Sequence, residues 1–297
     1  MNRMTKSERI FNILNNIFMG LIIIIMVYPL LNQIAISLSS DSAILAGKVN
    51  LIPKGLTLVA YKDVVMDKSF VGAFKNTLIY TLICTFIQIV FTMTFAYPLS
   101  KKALKGRGVI MTILVFSMMF GTGGLIPNYL LIKNLHLVNT YWALMLPGAI
   151  NIWNVIVFKS FFQQIPESLE EAGKIDGAGV WTIFLRIVLP LSKPVIAALT
   201  LFTAIAAWST FFQALIYVTS PEKKLLQVYL NDILQANIIP ASQQTDFLVD
   251  AAANLERTNG DALKAACLIC TMLPVTLIYP FVQKYFMAGL MIGSVKG

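Results

Sequence analysis

The sequence predicts an all-α polytopic membrane protein: six transmembrane helices and one long cytoplasmic loop built from two short helices. Three observations predict it. Hydrophobic residues make up 57% of the 297 residues and charged ones 12%, about half the charged share of a soluble domain. Apolar runs recur, each of about the 20 residues that a helix needs to cross a hydrocarbon core of about 30 Å, where a β-barrel would show short alternating segments. Between two of these runs lies a single charged, glycine-bearing segment, residues 165–194, reading IPESLEEAGKIDGAGVWTIFLRIVLPLSKP.

Residues 1–16 are polar and basic, with Arg3, Lys6 and Arg9, and form an N-terminal segment. The first span, 17–38, contains LIIIIMV. It is longer than the core of a signal peptide, about 7–15 residues, and Tyr28 and Pro29 stand where small cleavage-site residues would be sought, so it reads as an uncleaved span. A polar loop punctuated by Gly47, Pro53 and Gly55 leads to the second span, 74–99. Lys101, Lys102, Lys105 and Arg107 crowd the loop after it. The third span, 109–131, is broken by Gly121–Gly124 and Pro127, which is tolerated where neighbouring helices or an aqueous cavity satisfy the freed backbone. The fourth covers 141–162, with Pro147 near its start, and the fifth lies within 195–218. A polar, mostly acidic loop covers 219–261, the sixth span 263–286, and 287–297 is a tail.

Six spans put both termini on one side, together with the 101–107 loop and the 165–194 segment. That side holds most of the basic residues, while acids offset the lysines of the opposite loops. The positive-inside rule therefore makes it cytoplasmic. The formal charge of +9 is thus an orientation signal. It is not gathered with stacking aromatics on a polar face, which excludes a nucleic-acid interface. Cys84, Cys267 and Cys270 lie in apolar runs. The C-x-x-C of Cys267 and Cys270 has no second pair and no histidine near, so these thiols read as small hydrophobes packed in a helix. His136 falls in the short outer loop, and Lys75 and Lys264 sit at span ends, where they can snorkel. No metal site and no catalytic residue is expected.

Within the 165–194 segment, Pro166 and Glu167 suit a helix start. Leu169, Ala172 and Asp176 share one stripe with Glu171 beside it, and Gly177 ends the helix. Trp181, Phe184, Leu185 and Val188 recur at i, i+3, i+4 and i+7 as the apolar face of a second helix, which Pro190 terminates before Pro194 opens the next span. Ala172 and Gly173 let a partner approach the backbone closely, and an acid beside them can pair with a partner's arginine. The segment reads as a docking element through which a soluble motor pushes on a membrane channel.

Glu171-Ala172-Gly173, then Gly177, then Ile187-Val188-Leu189-Pro190 resembles the EAA signature of permease subunits in ATP-binding-cassette (ABC) importers. That signature is Glu-Ala-Ala, three residues, Gly, nine residues, Ile-x-Leu-Pro; Gly173 replaces its second alanine. With GGLIPNYLLIKNL, LPGAINIWNVIVFKSFF and YFMAGLMIGSVKG, the likeness covers nearly the whole chain. It points to the carbohydrate-uptake branch, similar to the smaller maltose permease and to oligosaccharide or aldouronate permeases. The resemblance implies a type I importer with 17–286 as its permease domain. Its partners would be a second homologous permease, two cytoplasmic ATPases and an extracytoplasmic solute-binding protein. Sugars, and in particular oligosaccharides including uronate-containing ones, would cross the cytoplasmic membrane by alternating access. It also implies that Glu171 pairs with an ATPase arginine, and that Ala172, Gly173, Asp176, Gly177, Ile187, Leu189 and Pro190 complete the coupling element. The chain has no G-x-x-x-x-G-K-[ST], so it is expected to bind no cofactor, ATP and Mg being used by the partner subunits.

Sugars are held by aromatic faces and amides, which suggests Asn151, Trp153 and Asn154 in the fourth span and Trp208, Phe212 and Gln213 in the fifth. Ordinary packing and interhelical amide bonds explain the same residues. Trp208 and Phe212 stand one helical turn apart. A secondary, ion-coupled transporter is the rival reading; it calls for ionisable groups within the membrane and tends to show inverted repeats. No acid sits in the middle of any span and no such repeat is visible. A membrane-embedded enzyme would need a catalytic cluster that does not appear.

Overall fold

A computed structural model describes residues 6–120, 123–235 and 260–294. Every regular element among them is helical. In order they are α1 Lys6–Ser37, α2 Asp41–Leu45, α3 Val59–Met66, α4 Lys68–Ser100, α5 Arg107–Phe120, α6 Leu125–Asn134, α7 Trp142–Met145 and α8 Ile152–Phe162. Then follow α9 Glu167–Ile175, α10 Val180–Ile183, a π-helical turn Phe184–Val188, α11 Leu189–Leu191 and α12 Lys193–Trp208. The last are α13 Phe212–Tyr217, a 3-10 turn Pro221–Lys223, α14 Leu226–Gln235 and α15 Gly260–Ser294. Arg3, Gly121, Lys296, Gly297 and part of the acidic loop lie outside the described residues.

Among the described residues three stretches are long and apolar enough to cross a membrane: Arg9–Ser37, Lys68–Ser100 and Gly260–Ile278. They carry the expected first, second and sixth spans. Up to five crossings result if each of two bent helix pairs is one span. The expected third span is divided between α5 and α6. The fourth is short: after α7 the chain leaves regular structure around Pro147 and Gly148 and resumes as the 11-residue α8. The fifth stops at Trp208 and restarts at Phe212, so these two aromatics flank a break instead of sharing one helix. Thr210 turns its hydroxyl onto the Ala206 carbonyl at 3.2 Å, the kind of local bond that competes with the helical ladder.

The chain divides into two units, Met1–Val71 with Leu230–Leu273, and Gly72–Tyr229 with Pro274–Gly297. In the first, Arg9–Ser37 would span about 43 Å at 1.5 Å per residue. It is apolar on all sides and left uncovered through most of its length, as a lipid-facing helix is. Its end is buried and tied to the loop that follows. Ser39 Oγ donates to the Ala35 carbonyl at 2.6 Å and accepts from the Lys54 amide at 3.0 Å, and Ser37 Oγ lies 2.7 Å from the Tyr61 hydroxyl. Gly55 comes so near Ser40 that a Cβ would stand 2.5 Å from its Oγ, with φ +66; only glycine closes this turn.

The second unit has an apolar core at one end, where Ile89, Met93, Ala96 and Leu99 of α4 meet Val155, Phe158 and Phe162 of α8 and Leu199 of α12. Helical spacing puts each set on one face. Ile183, Phe184 and Val188 of the 165–194 segment complete it. Further along, Asn154 Nδ2 donates to Thr203 Oγ1 at 3.2 Å and Gln88 Nε2 to the Gly148 carbonyl at 2.6 Å. The second bond satisfies backbone freed by the break after α7.

A polar clamp closes the other end. Asn139, with φ 63, accepts from the Ser220 amide at 3.0 Å and donates to Ser220 Oγ at 2.6 Å. Its backbone N–H donates to the Tyr217 carbonyl at 2.7 Å, and Lys223 Nζ donates to its backbone carbonyl at 2.9 Å. Replacing Asn139 by Ala removes two side-chain bonds, each worth about 1 kcal/mol, and adds left-handed strain of about 1 kcal/mol. Thermal unfolding in detergent should show Asn139→Ala destabilised by roughly 2–3 kcal/mol, and Asn139→Gly by less because the strain is relieved. Equal melting of wild type and Asn139→Ala would contradict this account of the clamp.

Candidate coupling loop

The segment between α8 and α12 folds as two helices joined by a tight turn. Pro166 is the N-cap of α9 and Glu167 its first helical residue, one position later than the sequence suggests. The helix ends in a Schellman motif. The Ala178 amide donates to the Gly173 carbonyl at 2.9 Å and the Gly177 amide to the Lys174 carbonyl at 3.0 Å, with Gly177 at φ +78. Glycine takes that conformation without a Cβ penalty, and the two bonds satisfy carbonyls that the helix end would leave unpaired. Asp176 is the C-cap, just outside the helix.

The second helix runs from Val180 through Leu191 and turns by 81° into α12 at Ser192. Pro190 does not terminate it. Proline has no amide to give and its ring crowds the carbonyl four residues back, and the chain responds by widening into the π turn Phe184–Val188. Buried Ser192 ends the helix, its Oγ donating to the Val188 carbonyl at 2.7 Å. The widened turn also changes the buried face. Phe184 and Val188 are buried as their spacing suggests, but Trp181 is 63% exposed and Leu185 is exposed too, and Ile183 takes their place inside.

The two helices touch at Gly173. A Cβ there would lie 3.1 Å from Ile187 Cδ1 and 3.4 Å from Ile183 Cγ1, so the residue that departs from the EAA pattern is the one lying against the second helix. Glu171, Ala172, Asp176 and Gly177 are exposed, Pro190 is exposed, and Ile187 and Leu189 are half-buried. Ile175, at 87%, and Val180 with Trp181 add exposed apolar surface around the turn.

The acids separate. Glu170 is buried, and its Oε1 pairs with Lys101 Nζ. Tyr97 donates its hydroxyl to Oε2 at 3.5 Å, and Lys101 Nζ lies 4.6 Å from the centre of the Tyr97 ring. Sequence reasoning singled out neither Glu170, Lys101 nor Tyr97. The available signal is spacing: Glu170 stands three residues before Gly173, on the same inward stripe of α9.

The sugar-contact candidates differ in exposure. Asn151 is the N-cap of α8, its Oδ1 accepting from the Asn154 amide at 3.0 Å. Asn154 is buried on Thr203, and Trp208 is buried with its ring edge-on to Phe74 at 5.6 Å. Trp153, Phe212 and Gln213 are exposed.

An all-helical multi-pass chain that presents an exposed two-helix loop, with its inner face locked into the ends of its spans, has the form of a transport permease. The chain belongs to the family of binding-protein-dependent transport system inner membrane components, whose model matches residues 69–291. It is 41% identical to Protein LplC of Bacillus subtilis (strain 168), over 99% of this chain and 97% of that one. It is 38% identical to the polygalacturonan/rhamnogalacturonan transport system permease protein YtcP of the same organism, over 98% and 100%. Among solved structures, a bacterial ABC transporter involved in the import of the acidic polysaccharide alginate superposes with a TM-score of 0.86 at 31% identity, covering 96% of this chain and 100% of that one.

Gly177 has open space where a Cβ would go, so Gly177→Ala should cost only the left-handed strain, about 1–2 kcal/mol. At Gly173, Ala gains helix propensity of about 1 kcal/mol against a small displacement of Ile187, and should be close to neutral. Gly173→Leu overpacks the helix contact and should cost about 1–3 kcal/mol. Melting curves of the three variants in detergent test the order; Gly173→Leu melting with wild type would show that the helices do not pack there.

Proposed function

We propose that this chain is a permease subunit of an ABC importer that carries oligosaccharides, including uronate-containing ones, across the cytoplasmic membrane. The observation that carries the reading is the loop at Glu167–Leu191, with Glu171, Ala172 and Gly177 presented outward on a turn whose inner face is fixed to the core. Family membership supports the importer class. The relatives named for polygalacturonan/rhamnogalacturonan and for alginate support acidic sugars.

In this reading the chain pairs with a second homologous permease, two cytoplasmic ATPases and an extracytoplasmic solute-binding protein, and both termini are cytoplasmic. Six crossings result when α5 with α6, α7 with α8, and α12 with α13 each make one span. ATP and Mg are used by the ATPases. Glu171 pairs with an ATPase arginine, and the exposed Ile175, Val180 and Trp181 lie against apolar ATPase surface. Ala172, Gly173, Asp176 and Gly177 shape the docking turn, and Ile187, Leu189 and Pro190 form its shoulder. When the ATPases close, α9 moves as a rigid body. The 81° bend at Ser192 makes the second helix a lever lying across α12, so the movement tilts the span. Sugar is met by Trp153, Phe212 and Gln213, while Asn151, Asn154 and Trp208 hold the helices that carry them.

Reconstituted with its partners, the importer carrying Glu171→Lys or Gly177→Asp should lose at least about tenfold in uptake, on the scale of a lost charged contact of about 1.5–3 kcal/mol. The amount of permease in the membrane should stay unchanged; uptake at the wild-type rate would sink the assignment. For the sugar contacts, Trp153→Ala and Phe212→Ala should reduce uptake without loss of assembly, whereas Trp208→Ala should reduce assembly itself. The reverse pattern would move the sugar path to Trp208.

A further inference from the structure

The 165–194 segment is joined by the chain to α8 before it and α12 after it, but not to α4. Movement of α9 therefore reaches α8 and α12 through covalent connections, and reaches α4 only through what packs against it. Beside the hydrogen bond from Gln163 Nε2, just before the segment, to the Ser100 carbonyl at 3.4 Å, two contacts tie the end of α4 to the segment and its rings. The first is apolar: the Tyr97 ring lies 4.8 Å from that of Phe184 and 6.2 Å from that of Phe162. The second is the ion pair of Glu170 with Lys101, whose side chains are 9% and 32% exposed.

We propose that the Glu170–Lys101 pair, seated on Tyr97, is the tie by which movement of the coupling helix α9 is transmitted to α4. The inference rests on the importer reading above and adds positioning residues to it. Its chemistry is directional. Glu170 is in the first turns of α9 and Lys101 follows the last residue of α4, so each charge also faces the favourable end of its own helix dipole. The carboxylate is bound on both oxygens, one by Lys101 and the other by the Tyr97 hydroxyl. Apolar contacts such as Tyr97 on Phe184 are non-directional and can slide. A buried carboxylate held by a charge and a hydrogen bond fixes geometry, and pulling the pair apart leaves Glu170 with an uncompensated burial cost. The adjacent acids then have separate tasks: Glu171 faces the motor and Glu170 holds the span.

The test is built on the whole importer, with partners and binding protein, in proteoliposomes, reading sugar imported per ATP hydrolysed. Removing one partner of a buried pair can harm folding, so the decisive variant is the double, Lys101→Met with Glu170→Gln, which leaves no unpaired charge. The tie predicts that this double variant assembles at wild-type level and hydrolyses ATP in response to loaded binding protein. It should import at least tenfold less sugar per ATP, while Lys101→Arg stays within about threefold of wild type. A merely structural pair would instead leave the double variant at the wild-type ratio, and that result overturns the proposal. So does a double variant that fails to assemble, since the pair would then be holding the fold. If the wild-type complex itself imports no sugar on ATP hydrolysis, the importer reading fails and the tie with it. If wild type imports and the double variant keeps its ratio, only the tie fails.

Discussion

Tyr97 is where the apolar interior of the second unit gives way to charge, and the placement of the 165–194 loop depends on it. Its ring clusters with those of Phe158, Phe162 and Phe184, drawn from α4, α8 and the π turn of the loop. Such pairs contribute about 0.5–1.5 kcal/mol each beyond the area they bury. The hydroxyl at the far end of the ring reaches Glu170, and Lys101 lies over its face. A phenylalanine would keep the packing and lose the bond to the carboxylate. A smaller residue would leave a cavity under the loop and deprive Lys101 of its platform. The residue is amphipathic in the way the position requires, apolar body toward the bundle and polar tip toward the charged loop.

Most of the helices were legible because burial and period coincide in them. Ile89, Met93 and Ala96, or Val155, Phe158 and Phe162, repeat at helical spacing and lie on one core. The turn at Gly177 was legible for a stronger reason: a positive φ at a helix end selects glycine almost alone. What failed was reading that assumed an unbroken ladder. An α-helical period places Trp181 and Leu185 inside, but the π turn at Phe184–Val188 resets the phase and Ile183 is buried instead. Trp208 and Phe212 were joined across a break that hydrophobicity cannot show, since Ser209 and Thr210 are only mildly polar. Glu170 and Lys101 are 69 residues apart. Two charges at that separation carry no local signal that one is buried on the other.

The breaks have a common logic. Helices α7, α8, α12 and α13 are each shorter than a bilayer crossing needs, and side-chain amides and hydroxyls occupy the places where they stop. Gln88 covers the Gly148 carbonyl, Thr92 accepts from the Asn151 amide at 3.3 Å, and Asn151 caps α8. In hydrocarbon an unpaired backbone group costs several kcal/mol, so a helix can end within a span only where a neighbour supplies these bonds. Much of that supply comes from α4, which is continuous from Lys68 to Ser100. The unbroken helix thus supports the backbone of its broken neighbours, and a movement of α4 would carry those bonds with it.

Gly173 is where the two helices of the loop come closest. The EAA pattern places alanine here, and a Cβ would meet Ile187 at 3.1 Å, the isoleucine that begins the Ile-x-Leu-Pro part of the same pattern. An alanine here would therefore press the two halves of the signature against each other across the turn. Pro190 widens the second helix, the widening turns Ile183 and Ile187 toward α9, and α9 answers with its smallest side chain. On the opposite side of α9 the exposed Glu171 and Ala172 remain free of this packing. A nine-residue helix can then be gripped on one face and offered to a partner on the other, which is the geometry that a rigid transmitter of force requires.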